Sequence, residues 1–214
     1  TQEIVYVLNQ LYNDGRLERV PVYVDSPLSA NATEIFRRYA DTLNAEVRDT
    51  MRFDPDPFGF NTLRYITDVQ QSKALNKSEQ PCIVISSSGM LEAGRIKHHV
   101  SNHIDDPTTT ILIVGYCTPT SLGARIQDPT LRFVSIFGYD HRIRAQVTKI
   151  EGFSGHGDYK EMIQYFTACQ DVKQIQKTFI VHGEYEAQET FKDHLYEAGF
   201  RHISIPQRGD SVVL

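Results

Sequence analysis

Short apolar runs rich in β-branched residues recur along the chain: "RVPVYVD" (19–25), "PCIVISS" (81–87), "TTILIVG" (109–115), "RFVSIF" (132–137), "RAQVTKI" (144–150) and "TFIVHG" (178–183). Most are apolar almost without interruption, the pattern of strands covered on both faces. Between them, apolar positions fall at helical spacing. The first such stretch, about 3–13, puts Ile4, Leu8, Leu11 and Tyr12 on one side and stops at Gly15. Further helices are predicted at about 30–44, 61–75, 90–104, 158–169 and 185–198. Strands alternating with helices predict parallel βαβ units, hence an α/β fold. "FDPDPFGFN" (53–61), interrupted by Pro55, Pro57 and Gly59, is a loop. "GYDHRI" (138–143) is a second break, placed where two domains could part.

Composition narrows this only a little. The 214 residues, 40% hydrophobic and 23% charged, suit one large or two small domains. No apolar run approaches the roughly 20 residues of a membrane span, and no basic-then-apolar leader is present, so a cytoplasmic location is expected. Cys82, Cys117 and Cys169 are odd in number and far apart, which suits reduced thiols better than a disulfide frame. A formal net charge of -5 argues against a general basic nucleic-acid binder, while leaving room for a cleft with local arginines.

In a parallel α/β sheet, ligands gather at the carboxyl ends of the strands, where helix N-termini also point. Asp25 ends a strand there, followed by Ser26 and Ser29. "ISSSGMLEAGR" sets Ser87, Ser88 and Gly89 between strand and helix, donors suited to a phosphate; "VGYCTPTSLGAR" repeats the arrangement with Ser121. Arg95 and Arg125 follow a few residues into the next helices, where they could face an anion. Taken singly, each of these serines is more simply read as a helix cap. Two histidines stand apart. His182 follows a strand and precedes Gly183, a place where a fixed imidazole can bind metal or simply complete a turn. His156 lies between glycines in "FSGHGDY", open to close approach. Asp158 can orient His156 or, with Glu161, form a capping box, and both roles stay open. His99 and His103, four apart on a predicted helix, are a weaker metal pair or a solvated face. No G-x-G-x-x-G follows the first strand and no P-loop is present, so a nucleotide-binding Rossmann domain lacks support.

Six segments together carry a resemblance: "VPVYVDSPLSANAT", "FDPDPFGFNTLRYITDVQQSKALN", "CIVISSSGMLEAGRIKHHV", "ILIVGYCTPTSLGARI", "VTKIEGFSGHGDY" and "FIVHGEYEA". Their order and spacing resemble the β-CASP branch of the metallo-β-lactamase fold, which includes ribonuclease J, archaeal cleavage-factor homologues and the pre-mRNA 3′-end endonuclease. The resemblance implies a β-CASP domain with a parallel, Rossmann-like sheet flanked by helices over 1–140. It implies the C-terminal segment of the metallo-β-lactamase (RNA-specificity) domain over 141–214, with RNA bound between the two. It makes His156, with Asp158, the group that contacts the scissile phosphate and helps the leaving oxygen. It makes His182 a zinc ligand, and histidine there marks the RNA-acting rather than the DNA-acting branch. Ser87, Ser88 and Gly89 would border the cleft, with Arg95, Ser121 and Arg125 beside them; Asp25 matches a strand-end position without a catalytic role.

The family's His-x-His-x-Asp-His metal motif does not occur in the sequence. The expectation is therefore the C-terminal piece of a two-zinc ribonuclease, inactive alone, whose partners are RNA, the N-terminal metallo-β-lactamase segment and a second copy in a homodimer. The alternative is a non-catalytic α/β module that holds RNA or a nucleotide.

Overall fold

The computed structural model describes residues 1–153, 155 and 157–212. It divides into two compact units, 1–154 and 155–214. The first runs α1 (Gln2–Asn13), β1 (Val22–Asp25), α2 (Pro27–Arg38), α3 (Ala45–Thr50), β2 (Leu63–Ile66), α4 (Val69–Leu75), β3 (Ile83–Ile85) and α5 (Arg95–His103). It continues with β4 (Thr110–Ile113), α6 (Leu122–Gln127), β5 (Phe133–Ile136), β6 (Tyr139–Arg142) and β7 (Gln146–Lys149). The second unit holds α7 (Tyr159–Cys169), β8 (Thr178–Phe179), α8 (Tyr185–Glu197) and β9 (Ile203–Ser204).

The α/β class is as predicted. Strand β1 is central in a parallel sheet ordered β2-β1-β3, registered so that Asp25 lies level with Ile66 and Val24 with Ile85. Strands β4 and β7 pair in parallel, β5 and β6 form an antiparallel hairpin, and β8 pairs with β9 in parallel. Val22 and Val24 of β1 pack with Val5 and Tyr6 of α1, Phe58 and Leu63. A second core in the same unit joins Ile104, Ile111, Ile113, Leu122, Ile126, Val134 and Ile136. Each such side chain, fully buried, contributes about 1.5–3 kcal/mol. The second unit closes around Ile180, Leu195, Phe200 and Ile203. No described helix is long and apolar enough to cross a membrane.

Three predicted elements change. The helix expected over 61–75 is strand β2 followed by α4. Leu63 and Ile66, three apart, imitate a helical stripe, but they sit on an extended segment whose Arg64 is exposed. Asp68 then starts α4, its carboxylate accepting from the amides of Gln70 and Gln71 at 2.9 Å. The helix expected over 30–44 begins earlier, at Pro27, and ends at Arg38, because Ser26 caps its start and Asn44 caps the separate α3. The break at 138–143 holds strand β6, paired from Ile136↔Tyr139 to Phe133↔Arg142. All three cysteines are free thiols.

Candidate functional site

Strand β1 ends in a carboxylate that solvent does not reach: Asp25 is 0% exposed. An ionised carboxylate survives burial only when donors satisfy it, and here three do. Arg95 Nη1 donates to Oδ1 at 2.7 Å, while Ser72 Oγ and His99 Nε2 meet Oδ2 at 2.5 and 2.6 Å. Arg95 also donates to the carbonyls of Ile66 (3.2 Å) and Thr67 (2.6 Å), and Ser86 Oγ donates to the Asp25 carbonyl at 2.8 Å. The Asp25 carboxylate thus ties the end of β1 to α4 and α5, Arg95 carries the tie on to β2, and Ser86 joins β3 through the Asp25 carbonyl.

Burial works to raise the Asp25 pKa, but the Ser72, Arg95 and His99 donors hold it below the ordinary carboxylate value. Burial pushes the His99 imidazole below its ordinary value, only partly offset by Asp25. The cluster therefore reads as a carboxylate, a guanidinium and a neutral imidazole that donates Nε2–H to Asp25. His99 Nδ1 lies 2.6 Å from Asn76 Oδ1. A neutral ring requires the Asn76 amide NH2 at that point and a protonated ring its oxygen, so rotation of the amide accommodates either state.

The serine loop between β3 and α5 is built on this cluster. Ser26 Oγ accepts from the Ser29 amide at 3.2 Å, capping α2, and takes a 3.3 Å bond from Ser87 Oγ. Ser88 turns back on the Ala93 carbonyl through its amide at 3.2 Å, and the Ile96 amide donates to the Ser87 carbonyl at 3.2 Å. Gly94 (φ +77) makes this turn possible, since a Cβ there would lie 2.5 Å from the Ser87 carbonyl oxygen. Gly89 is exposed at the loop tip. Next to it, the Met90 carbonyl accepts from the Gly123 amide at 3.0 Å and the Glu92 carboxylate from the Leu122 amide, so the loop docks on the start of α6. Ser121 is a buried cap of α6, accepting from the Ala124 amide at 3.2 Å and donating to the Thr118 carbonyl at 2.7 Å. Arg125 is half-buried in the last turn of α6, its guanidinium without a partner among the described residues. Of the residues predicted to meet an anion, Arg95 and Ser121 turn inward, and the Ser87 and Ser88 hydroxyls are engaged within the loop region.

In the second unit, His156 lies outside the described residues. Asp158 forms the capping box of α7: Oδ1 accepts from the amides of Lys160 (2.8 Å) and Glu161 (2.9 Å), and Glu161 Oε2 accepts from the Asp158 amide at 3.0 Å. Asp158→Ala is expected to lower stability by about 1 kcal/mol, the usual loss of a good cap, read as a reduced urea midpoint with unchanged slope. His182 is exposed in the turn after β8, with φ +70, and its carbonyl accepts from Gln188 Nε2 at 3.1 Å. Its ring has no partner among the described residues. The His99–His103 pair is not a solvated face, because His99 is buried and engaged by Asp25. Among the described residues no three His, Cys, Asp or Glu side chains gather as metal ligands. A protein-bound zinc takes three or four ligands, and His182 by itself does not make such a site. Sequence reasoning missed Ser72, Asn76 and His99 as members of the Asp25 cluster; the available signal was Arg95 and His99 spaced i,i+4 on one helix face.

A parallel sheet flanked by helices, its strand ends tied to a serine loop, makes the first unit an α/β domain. Residues 1–126 match the Beta-Casp domain, and residues 140–206 match the Zn-dependent metallo-hydrolase RNA specificity domain. The chain belongs to the β-CASP family of the metallo-β-lactamase fold. Among curated proteins it is similar to ribonuclease TTHA0252 of Thermus thermophilus, 35% identical over 188 residues, 86% of this chain and 41% of that protein. It is similar to an RNase J-like protein of Methanocaldococcus jannaschii, 30% identical over 183 residues, 86% of this chain and 40% of that one. The transcription termination factor FttA of the same organism is 28% identical over 216 residues, 99% of this chain and 33% of that protein. The chain thus spans between a third and about two fifths of the length of these relatives.

Proposed function

We propose that the chain forms the β-CASP and RNA-specificity part of a zinc-dependent nuclease that hydrolyses RNA phosphodiester bonds. The observation that carries this reading is the match of 140–206 to an RNA specificity domain directly after a β-CASP match over 1–126. The ribonuclease names of two relatives support it. His182, an exposed imidazole held in a tight turn, would be one zinc ligand; the other ligands would come from a metallo-β-lactamase segment that the longer relatives have room to include. Zinc, when bound, supplies Lewis acidity and a water whose pKa falls to about 7. His156 would donate a proton to the leaving oxygen. Asp158 uses Oδ1 for its cap, and its Oδ2 would orient that imidazole. Ser87, Ser88, Gly89 and Arg125 would border the RNA, with Arg95 and Ser121 acting at one remove by fixing the loop and capping α6.

The test compares two proteins on one single-stranded RNA. The 214-residue chain should bind it without hydrolysis above background, with or without added zinc. The longer protein carrying this chain should hydrolyse it and stop when a chelator is added. Zinc-dependent cleavage by the 214-residue chain that survives repurification and vanishes on His156→Ala would overturn the incomplete-site reading. A longer protein that binds RNA and never cleaves it would leave a non-catalytic module.

A further inference from the structure

The tip of the β5–β6 hairpin carries a residue that its turn does not favour. Ile136 and Tyr139 pair across the strands, leaving Phe137 and Gly138 as a two-residue turn with φ of 55 and 83. Two successive positive φ values define a turn that selects Asn, Asp or Gly, and a bulky side chain there is an outlier. Core packing does not compensate, because Phe137 is 48% exposed. Its ring instead stacks on the exposed imidazole of His98, centroids 4.6 Å apart and planes 26° apart. Lys97 Nζ lies 5.3 Å from the same ring centroid. Lys97 also donates to the Glu92 carbonyl at 3.4 Å, which places the stack beside the serine loop. Exposed Tyr139, paired with Ile136, lies on the hairpin face that also carries His141, which Ser101 of α5 meets at 3.3 Å, while exposed Phe133 and Arg142 pair on the opposite face.

Aromatic rings interleaved with cations form the surface that holds single-stranded nucleic acid, bases stacking on the rings and phosphates meeting the charges. We propose that the His98–Phe137 pair is a stacking site for one unpaired RNA base, with Lys97 serving a neighbouring phosphate. The proposal rests on the RNA reading above and adds a subsite to the first unit. Phenylalanine at a position that asks for asparagine is then explained by what its ring binds.

The probe is a short single-stranded oligoadenylate carrying one 2-aminopurine, titrated with the 214-residue chain. The base should be quenched on binding at one or a few label positions. Phe137→Asn suits the turn, so it should keep or raise the melting temperature while weakening RNA binding roughly tenfold and removing the quench. Phe137→Trp should retain both affinity and quench. His98→Ala, at an exposed helix position, should give a similar loss without touching the turn. Wild-type affinity in both Phe137→Asn and His98→Ala, or binding without quench at any label position, would overturn the stacking site and leave the RNA reading standing. A Phe137→Asn variant that turns a dimer into a monomer with RNA affinity intact would assign this face to a second copy instead. Failure of the wild-type chain to bind RNA at all would remove the site together with the RNA reading.

Discussion

Asp25→Ala is expected to lower the unfolding free energy by about 3–5 kcal/mol, the usual result of removing one partner of a buried pair. The guanidinium of Arg95 would lose its counter-charge while keeping only the Ile66 and Thr67 carbonyls, and Ser72 and His99 would lose their acceptor. Arg95 keeps 18% of its side chain exposed, which places the effect toward the lower end of that range. Asp25→Asn preserves shape but not charge, so most of the loss should persist. Urea unfolding, followed by tyrosine fluorescence and circular dichroism, reads the change; a loss within experimental error would show that the cluster contributes nothing net. The same cluster sets a pH dependence. His99 has a folded pKa below its ordinary 6.5, so below about that pH the unfolded chain binds a proton that the folded chain does not. Stability should therefore fall as pH drops from about 6.5 toward the folded value. Asp25 is also depressed, from 3.8, so its contribution is complete above that pH and is lost as pH falls through the folded value. His99→Gln, which keeps a donor for Asp25, should flatten the first decline and leave the second.

In the longer protein that carries this chain, His156→Ala should slow single-turnover RNA cleavage by about 10²–10⁴-fold, the range for losing a general acid, with zinc content unchanged. His182→Ala should lose zinc and rate together. RNA binding should survive both changes, because affinity for a polyanion is spread over many phosphate contacts. Elemental analysis beside single-turnover kinetics separates the two roles. Loss of zinc in His156→Ala would assign that histidine to the metal, and unchanged cleavage in both variants would reduce the two turns to structure.

The helices α1, α7 and α8 were legible because each shows apolar periodicity or a strong cap, such as Asp158 and Glu161, whereas α5, expected from about 90, starts only at Arg95, after the turn at Gly94. Strand β2 was not, because Leu63 and Ile66 satisfy helical spacing as well as burial in a sheet. Strand β6 was hidden by its composition: Tyr139, Asp140, His141 and Arg142 show no alternation, and what makes them a strand is pairing with β5. At the site, Asp25 could be placed at a strand end and Arg95 at a helix start, but nothing local says that they meet. Seventy positions separate them in sequence, and only the register of β1 against β2 and β3 brings them together. Arg95 read as an anion ligand because its counter-charge was not visible along the chain.

Strand β4 has to wait for its partner. Thr110–Ile113 leave the ribosome well before Gln146–Lys149, and at roughly 5–20 residues per second the delay is about 2–7 s. During that interval the edge of β4 offers unpaired amides and carbonyls beside Ile111 and Ile113, the kind of edge that recruits other chains. Closing it requires a long-range parallel pairing across α6 and the hairpin, an intrinsically slow event. The two family matches meet between residues 126 and 140, yet the strand that shields β4 lies beyond that joint. Newly made chains therefore pass through an interval with this edge open, and a gene divided at the joint would hold the first half in it permanently.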